Sequence, residues 1–378
     1  MVKDLKRRKN QTLIAGMLLS ISAVTYSCTK DSISATNPLT SSSAPSSNNG
    51  SAAPLQRILF VGDSFTHGRY APVRTYNSGG KNGNTTGSPL VFDENYGQTG
   101  ARAELENGPW GGIPGIFAEL AYESGLNYDV HIEAISATSL EKNFDAASGV
   151  IAQSKWNAVV LQELSLKALP SELTGSSLSN PNGFYSSVQT IEKAVHTAAP
   201  SSKVYLYEAW PRADLAETLS GNINSSKFNK NYAANLSALA TANNSAYHTA
   251  AQQDGNIAGI APAGDAWVNA WAANIANSNP FTGTANTPVL WYGLNQVNDP
   301  QISNPDYLHP SIYGAYLNGL VLFQQITGTD VRTFGQQEKA AAALGISGTI
   351  AVQLQQIAWQ TVTQENSQQT NQTVAPVS

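Results

Sequence analysis

The chain has 378 residues, of which 12% are charged and 41% hydrophobic, with a formal net charge of −5. That length allows one large domain or two small ones and a sizeable core, and the mild acidity gives no reason to expect nucleic acid as a partner. The single cysteine excludes a disulfide framework. Low charge with abundant Asn, Ser, Thr, Gln and Ala suits an exported surface protein better than a cytosolic one.

Residues 1–28 have the pattern of an export signal. Lys3, Lys6, Arg7, Arg8 and Lys9 form a basic start, and 12–24 is an apolar run too short to span a bilayer comfortably. Cys28 follows Ser27 at its end and looks like the lipid-acceptor residue of a bacterial lipoprotein, although Thr25 and Tyr26 are not the usual residues before such a cut. The alternative is an ordinary secretory signal with an incidental cysteine. No other stretch is apolar for long enough to span a membrane. Residues 29–55, rich in Ser, Asn, Ala and Pro, cannot bury enough apolar surface to offset ordering and read as a flexible tether.

Residues 57–61, Arg57 followed by four apolar residues, read as a strand, as in a parallel strand covered on both faces. Gly62 permits a tight exit, and Ser64 follows just past the carboxyl end of the strand, the edge where open α/β sheets bind ligands. The long Gly, Asn and Thr-rich segment 69–110 is expected to frame a cleft, with Tyr70, Arg74 and Trp110 as candidates to touch ligand. A helix is predicted over 113–124, closed by Gly125. A second strand over 128–135 runs into Ser136-Ala137-Thr138. Residues 150–154 read as helical, and a third strand over 158–161 ends in Gln162-Glu163. The apolar stripe Phe184, Val188, Ile191 and Val195 marks a helix over 181–199.

A fourth strand, 204–207, continues towards Trp210 and Arg212, and a long helix follows over 227–253. His196 and His248 read as structural. A short fifth strand, 256–260, precedes a helix opened by Pro262 and running to Trp271, with Asp265 as an acid in its first turn. In the loop 276–304, Trp291 and Tyr292 are candidates for a cleft rim. Asp306 and His309 then lie close enough in sequence for the carboxylate to fold back onto Nδ1, leaving Nε2 as a base for Ser64. Pro310 suits the first position of a helix over 312–326. Two more helices, 337–345 and 349–362, precede a polar tail at 365–378.

Gly62-Asp63-Ser64 near the start and Asp306-x-x-His309-Pro310 near the end resemble the SGNH (GDSL-type) hydrolase family, over about residues 57–326. The resemblance implies a three-layer α/β/α sandwich with a mostly parallel five-stranded sheet, flavodoxin-like, filling 56–364. It implies a serine esterase in which Ser64 attacks, His309 moves the proton, Asp306 orients His309 and no cofactor takes part. Ala137 falls where the family has a glycine whose N–H helps bind the oxyanion, beside the Ser64 N–H. The family's third block offers an asparagine within Gly-x-Asn, which this chain lacks. Asn157 lies at the wrong edge of the sheet, so the Gln162 amide is assigned as third donor. Asp63, His67, Glu163 and Trp210 are candidates to touch substrate, Glu163 alternatively bracing Gln162 and Trp210 packing under the sheet.

Such enzymes deacetylate sugars or cleave lipid and short-chain esters, and the polar, aromatic-bearing loops favour O-acetylated carbohydrate. A non-catalytic surface carbohydrate-binding protein of the same fold is the alternative from another class. The expected membrane contact is a lipid anchor alone. No phosphate-binding Gly-x-x-x-x-Gly-Lys-Ser/Thr, His-Glu-x-x-His or Cys-x-x-Cys is present. Asp63, His67, Asp306 and His309 are too few ligands for a metallo-phosphoesterase.

Overall fold

A computed structural model describes residues 53–83, 88–106, 108–282, 287–293 and 305–374. The predicted signal, Cys28 and nearly all of the predicted tether lie outside the described residues. Among the described residues, no helix is long and apolar enough to cross a membrane.

Strand β1 (Gln56–Gly62) carries the apolar run Ile58 to Val61, buried on both faces. The short helix α1 (Ser64–His67) follows at once. β2 (Phe92–Asp93) is a two-residue strand inside the long loop, and α2 (Gly112–Glu123) leads to β3 (Tyr128–Ala134). Then come α3 (Leu140–Ile151), β4 (Ala158–Leu161), α4 (Ser171–Thr174), α5 (Pro181–Ala198), β5 (Lys203–Tyr207) and α6 (Ala213–Ser220). α7 (Phe228–Asp254), β6 (Gly259–Ala261) and α8 (Ala263–Ala272) complete the sheet. α9 (Ile312–Thr327), α10 (Lys339–Ala343) and α11 (Gly348–Val374) close the chain.

The sheet is parallel with order β2-β3-β1-β4-β5-β6, and Phe60 lies opposite Ile132 on one side and Val160 on the other. Helices α2, α8, α9 and α11 pack together on one face, while α3 and α5 pack with α7 on the other. This is the expected three-layer α/β/α sandwich, with six strands in place of five. The extra strand is β2, whose two residues are too few to carry an alternating pattern. The predicted 150–154 helix is in fact the end of α3, which starts ten residues earlier at the Ser139 cap. Its buried stripe, Leu140, Asn143, Ala147 and Ile151, has only two strong apolar members, so the periodicity is weak.

β6 lies a few residues later than the predicted fifth strand. The chain is also helical well past 362: α11 continues to Val374, and Glu365, placed by sequence in a polar tail, is only 3% exposed and paired with His248 on α7. Because the strands are parallel, the carboxyl ends of β1, β3 and β4 lie side by side. That register brings Ser64, Ala137 and Gln162 to one edge.

Candidate active site

The turn after β1 is built from backbone demands. Asp63 caps α1, its Oδ1 accepting the Phe65 N–H at 2.8 Å, and Gly68 closes the helix at φ 65°. Gly62 is required by close approach, since a Cβ there would run into Thr66 Oγ1 and Gln162 Oε1. Ser64, the first helical residue, is thereby held at the strand's exit with little surface exposed.

The partner arrives from the far end of the chain. His309 Nε2 stands 2.7 Å from Ser64 Oγ, and His309 Nδ1 stands 2.7 Å from Asp306 Oδ2. The carboxylate can only accept, so Nδ1 carries the proton and Nε2 offers its lone pair to the serine hydroxyl. Asp306 Oδ1 accepts the N–H groups of Leu308 and His309, and Oδ2 also accepts the Tyr70 hydroxyl at 2.8 Å. Burial pushes the Asp306 carboxyl up, but the hydrogen bond and charge of His309, with the two N–H groups, outweigh it and hold the carboxyl below its ordinary value. Tyr70, pushed up by burial and by Asp306, stays protonated and can only donate.

This loop is pinned from several sides. Tyr292 N–H donates to the His309 carbonyl, and the Asp306 and Tyr307 N–H groups donate to the Tyr292 carbonyl. Trp210 donates its indole N–H to the Leu308 carbonyl at 3.0 Å. Beneath the dyad, Phe65 stacks on Trp210 at 4.1 Å and meets the His309 ring edge-on. Ser311, not Pro310, starts α9: its hydroxyl accepts the N–H groups of Tyr313 and Gly314.

A cleft of about 450 Å³ opens over Ser64 and His309. Phe65, Leu105, Leu164 and Leu308 supply apolar wall, and Arg69, Glu106, Ser165 and Arg212 supply polar wall. Arg69 pairs with Glu106 at 3.3 Å, and Arg212 forks onto Asp214 while reaching Ser165 Oγ. Ala137 lines the same cleft at φ 56°, the left-handed region that glycine enters freely and alanine enters at a cost of about 1–2 kcal/mol. Neither the Ser64 nor the Ala137 N–H donates to a protein acceptor among the described residues.

Other expectations are corrected. Gln162 is 1% exposed and faces inward. Its Oε1 accepts the Asp63 N–H at 3.0 Å and the Thr66 hydroxyl at 2.8 Å, while Nε2 donates to the Glu163 carbonyl at 2.5 Å. A backbone donor at one end and a backbone acceptor at the other fix the amide's orientation. Gln162 is thus a brace under the serine turn, not a donor in the cleft.

His67 does not reach the cleft either. It is fully buried, stacked on Trp110 at 4.1 Å with Nε2 on Ser136 Oγ at 2.8 Å, and burial drives it well below its ordinary value, to the neutral form. Buried Glu163 accepts the N–H groups of Leu140 and Leu164, tying the start of α3 to the end of β4. Trp210 and Trp291 are core, Arg74 lies over Trp110, and Tyr292 stacks on Tyr70. Asp63 touches the cleft, but its carboxylate serves the cap, and burial pushes it up to about 7. Asn157 sits at the amino edge as expected, accepting the Arg57 N–H.

Nothing in the sequence pattern marks Arg69, Leu105, Glu106, Leu164 or Ser165 as cleft residues. Leu105, 70% exposed at the cleft, belongs to no periodic pattern that could have flagged it. Asp63 and His67 are tied up as cap and stacked ring, so they do not join Asp306 and His309 as a ligand set. Among the described residues there is no group of three or more His, Cys, Asp or Glu able to hold a metal ion.

No family model matches the chain, and no curated protein does. Solved structures with similarity include a DUF4886 family protein from Bacteroides uniformis, 15% identical, covering 82% of this chain and 95% of its own, with a TM-score of 0.47. A putative GDSL-like lipase from Parabacteroides merdae is 13% identical over 72% of this chain and 95% of its own, TM-score 0.41. A phospholipase A1 from Streptomyces albidoflavus is 14% identical over 72% and 98%, TM-score 0.39. These likenesses are distant.

Proposed function

We propose that the protein is a serine ester hydrolase working through an acyl-enzyme. The observation that carries this reading is the unbroken hydrogen-bonded line from Ser64 Oγ through His309 to Asp306 at the floor of an open cleft. Ser64 Oγ attacks the ester carbonyl carbon while His309 Nε2 takes its proton. The carbonyl oxygen, now an anion, is held by the N–H groups of Ser64 and Ala137. Collapse breaks the bond to the alcohol oxygen, which leaves with the proton from His309. Water then repeats the sequence on the acyl carbon and frees Ser64.

The cleft's mixed walls favour a small acyl group on a polar alcohol, and O-acetylated carbohydrate is the substrate class we propose. The proposed location is outside the cytoplasm, with Cys28 as lipid anchor. Ser64→Ala should abolish turnover of a chromogenic acetate ester, by about 10⁴-fold or more, and a fluorophosphonate should label only the wild-type chain. Equal turnover or equal labelling in the variant defeats the proposal. The inward turn of Gln162, which leaves the Ser64 and Ala137 N–H groups of the three expected donors, favours a second reading, a binding protein of this fold. A wild-type chain that resists labelling would support it.

A further inference from the structure

A second cavity, of about 630 Å³, lies away from the cleft between α7 and α8. Its wall has two characters. Leu236, Val268 and the part-exposed Trp271 provide an apolar strip, with the Trp271 ring held from behind by Trp291 at 4.9 Å. Thr241, Asn244 and Asp265 provide polar groups that the fold does not use up. Asn244 Nδ2 donates to Asp265 Oδ2 at 2.9 Å, and Asp265 Oδ1 has no protein partner among the described residues. The buried Trp271 indole N–H also lacks an acceptor among them.

Thr241 is the telling residue. On this chain's helices Thr190, Thr197, Thr249, Thr361 and Thr363 all return their hydroxyls to the carbonyl four residues back. Thr241, exposed in the middle of α7, makes no such bond and lines the cavity.

We infer that this cavity is a second binding site, and that its ligand is a neutral saccharide. A lone carboxylate rejects anions and is too little for a metal ion. Unsatisfied polar groups argue against a purely apolar guest. A pyranose matches both characters, with a C–H face for the strip and paired hydroxyls for Asp265 Oδ1, Thr241 and Asn244. The volume falls in the range of small-molecule sites. The inference does not depend on Ser64 chemistry, and the site would hold glycan while the cleft works elsewhere on it.

The test uses the full-length chain carrying Ser64→Ala, titrated calorimetrically with unesterified xylotetraose, cellotetraose and chitotetraose. Binding of at least one is expected. Thr241→Val and Asp265→Asn added singly should each weaken it roughly tenfold or more, and Thr241→Ser, which restores the hydroxyl, should recover it. Circular dichroism and the thermal midpoint, read on every variant, separate lost binding from lost fold. Absence of binding by all three tetraoses overturns the inference. So does binding that the Thr241 and Asp265 variants leave unchanged, or binding abolished by filling the Ser64 cleft of the wild-type chain with a phosphonate.

Discussion

Tyr70 and His309 share one oxygen. The Tyr70 hydroxyl donates to Asp306 Oδ2 at 2.8 Å, and His309 Nδ1 meets that same atom at 2.7 Å. A second donor on the oxygen draws away part of the negative charge that would otherwise steady a protonated imidazole. Tyr70→Phe keeps the stack on Tyr292 at 3.7 Å and deletes only the donor. The kcat/KM for a small ester should then change measurably but by less than about tenfold, with the thermal midpoint close to wild type. An unchanged kcat/KM would mean that Tyr70 merely packs.

Gln162 separates a brace from an oxyanion donor. Removing its side chain with Gln162→Ala strands the buried Asp63 N–H and Glu163 carbonyl. Each unpaired buried group costs about 1–3 kcal/mol, so denaturant titration should find a loss of about 2–6 kcal/mol. An oxyanion donor would instead give a fall in kcat of about 10²–10³ with stability intact.

What sequence revealed and what it hid divide along the distance to a residue's partners. Asp306 and His309 are three positions apart, and the Gly62 turn is a local shape, so short spacing was enough to read both. The inward rotation of Gln162 depends on Asp63 and Thr66, which come from another strand's exit. His67 reads as a candidate substrate contact because nothing near it in sequence announces Trp110, against which it lies. The cleft wall is hidden for the same reason: Leu105 and Arg69 line one cleft although 36 positions apart, and Arg69 pairs with Glu106 from the far end of the long loop.

Ala137 carries the glycine-like backbone angle without the glycine. Ala137→Gly relieves about 1–2 kcal/mol of left-handed strain and gives back about 0.5–1 kcal/mol in chain entropy. Stability should therefore be equal or higher by up to about 1.5 kcal/mol. Ala137→Val, β-branched at the same φ, should lose about 1–3 kcal/mol. If valine were neutral by denaturant titration, the backbone there would not be left-handed.

The cleft wall also has a proton-dependent foundation. Asp93 and Glu104 meet carboxyl to carboxyl, next to Leu105 and Glu106. Burial, then the negative charge of Asp93, pushes Glu104 up to about 8 from an ordinary 4.5. Between those values the folded chain keeps a proton that the unfolded chain has released. The contribution to stability is complete below about 4.5 and is lost as pH rises through about 8. Glu104→Gln, which keeps a donor towards Asp93, should flatten the fall of the unfolding free energy over that window relative to wild type. A parallel curve would show that Glu104 does not hold the shared proton.

Cys28 bears on where the reaction takes place. A single acyl chain holds a protein only weakly and reversibly, whereas several together anchor it stably. Fractionation of the full-length chain in a bacterial host should place the wild type with membranes and Cys28→Ala in the soluble fraction. Radiolabelled palmitate should enter the first and not the second. Equal membrane association of the two, or a mature chain starting elsewhere than Cys28, would leave plain secretion as the reading.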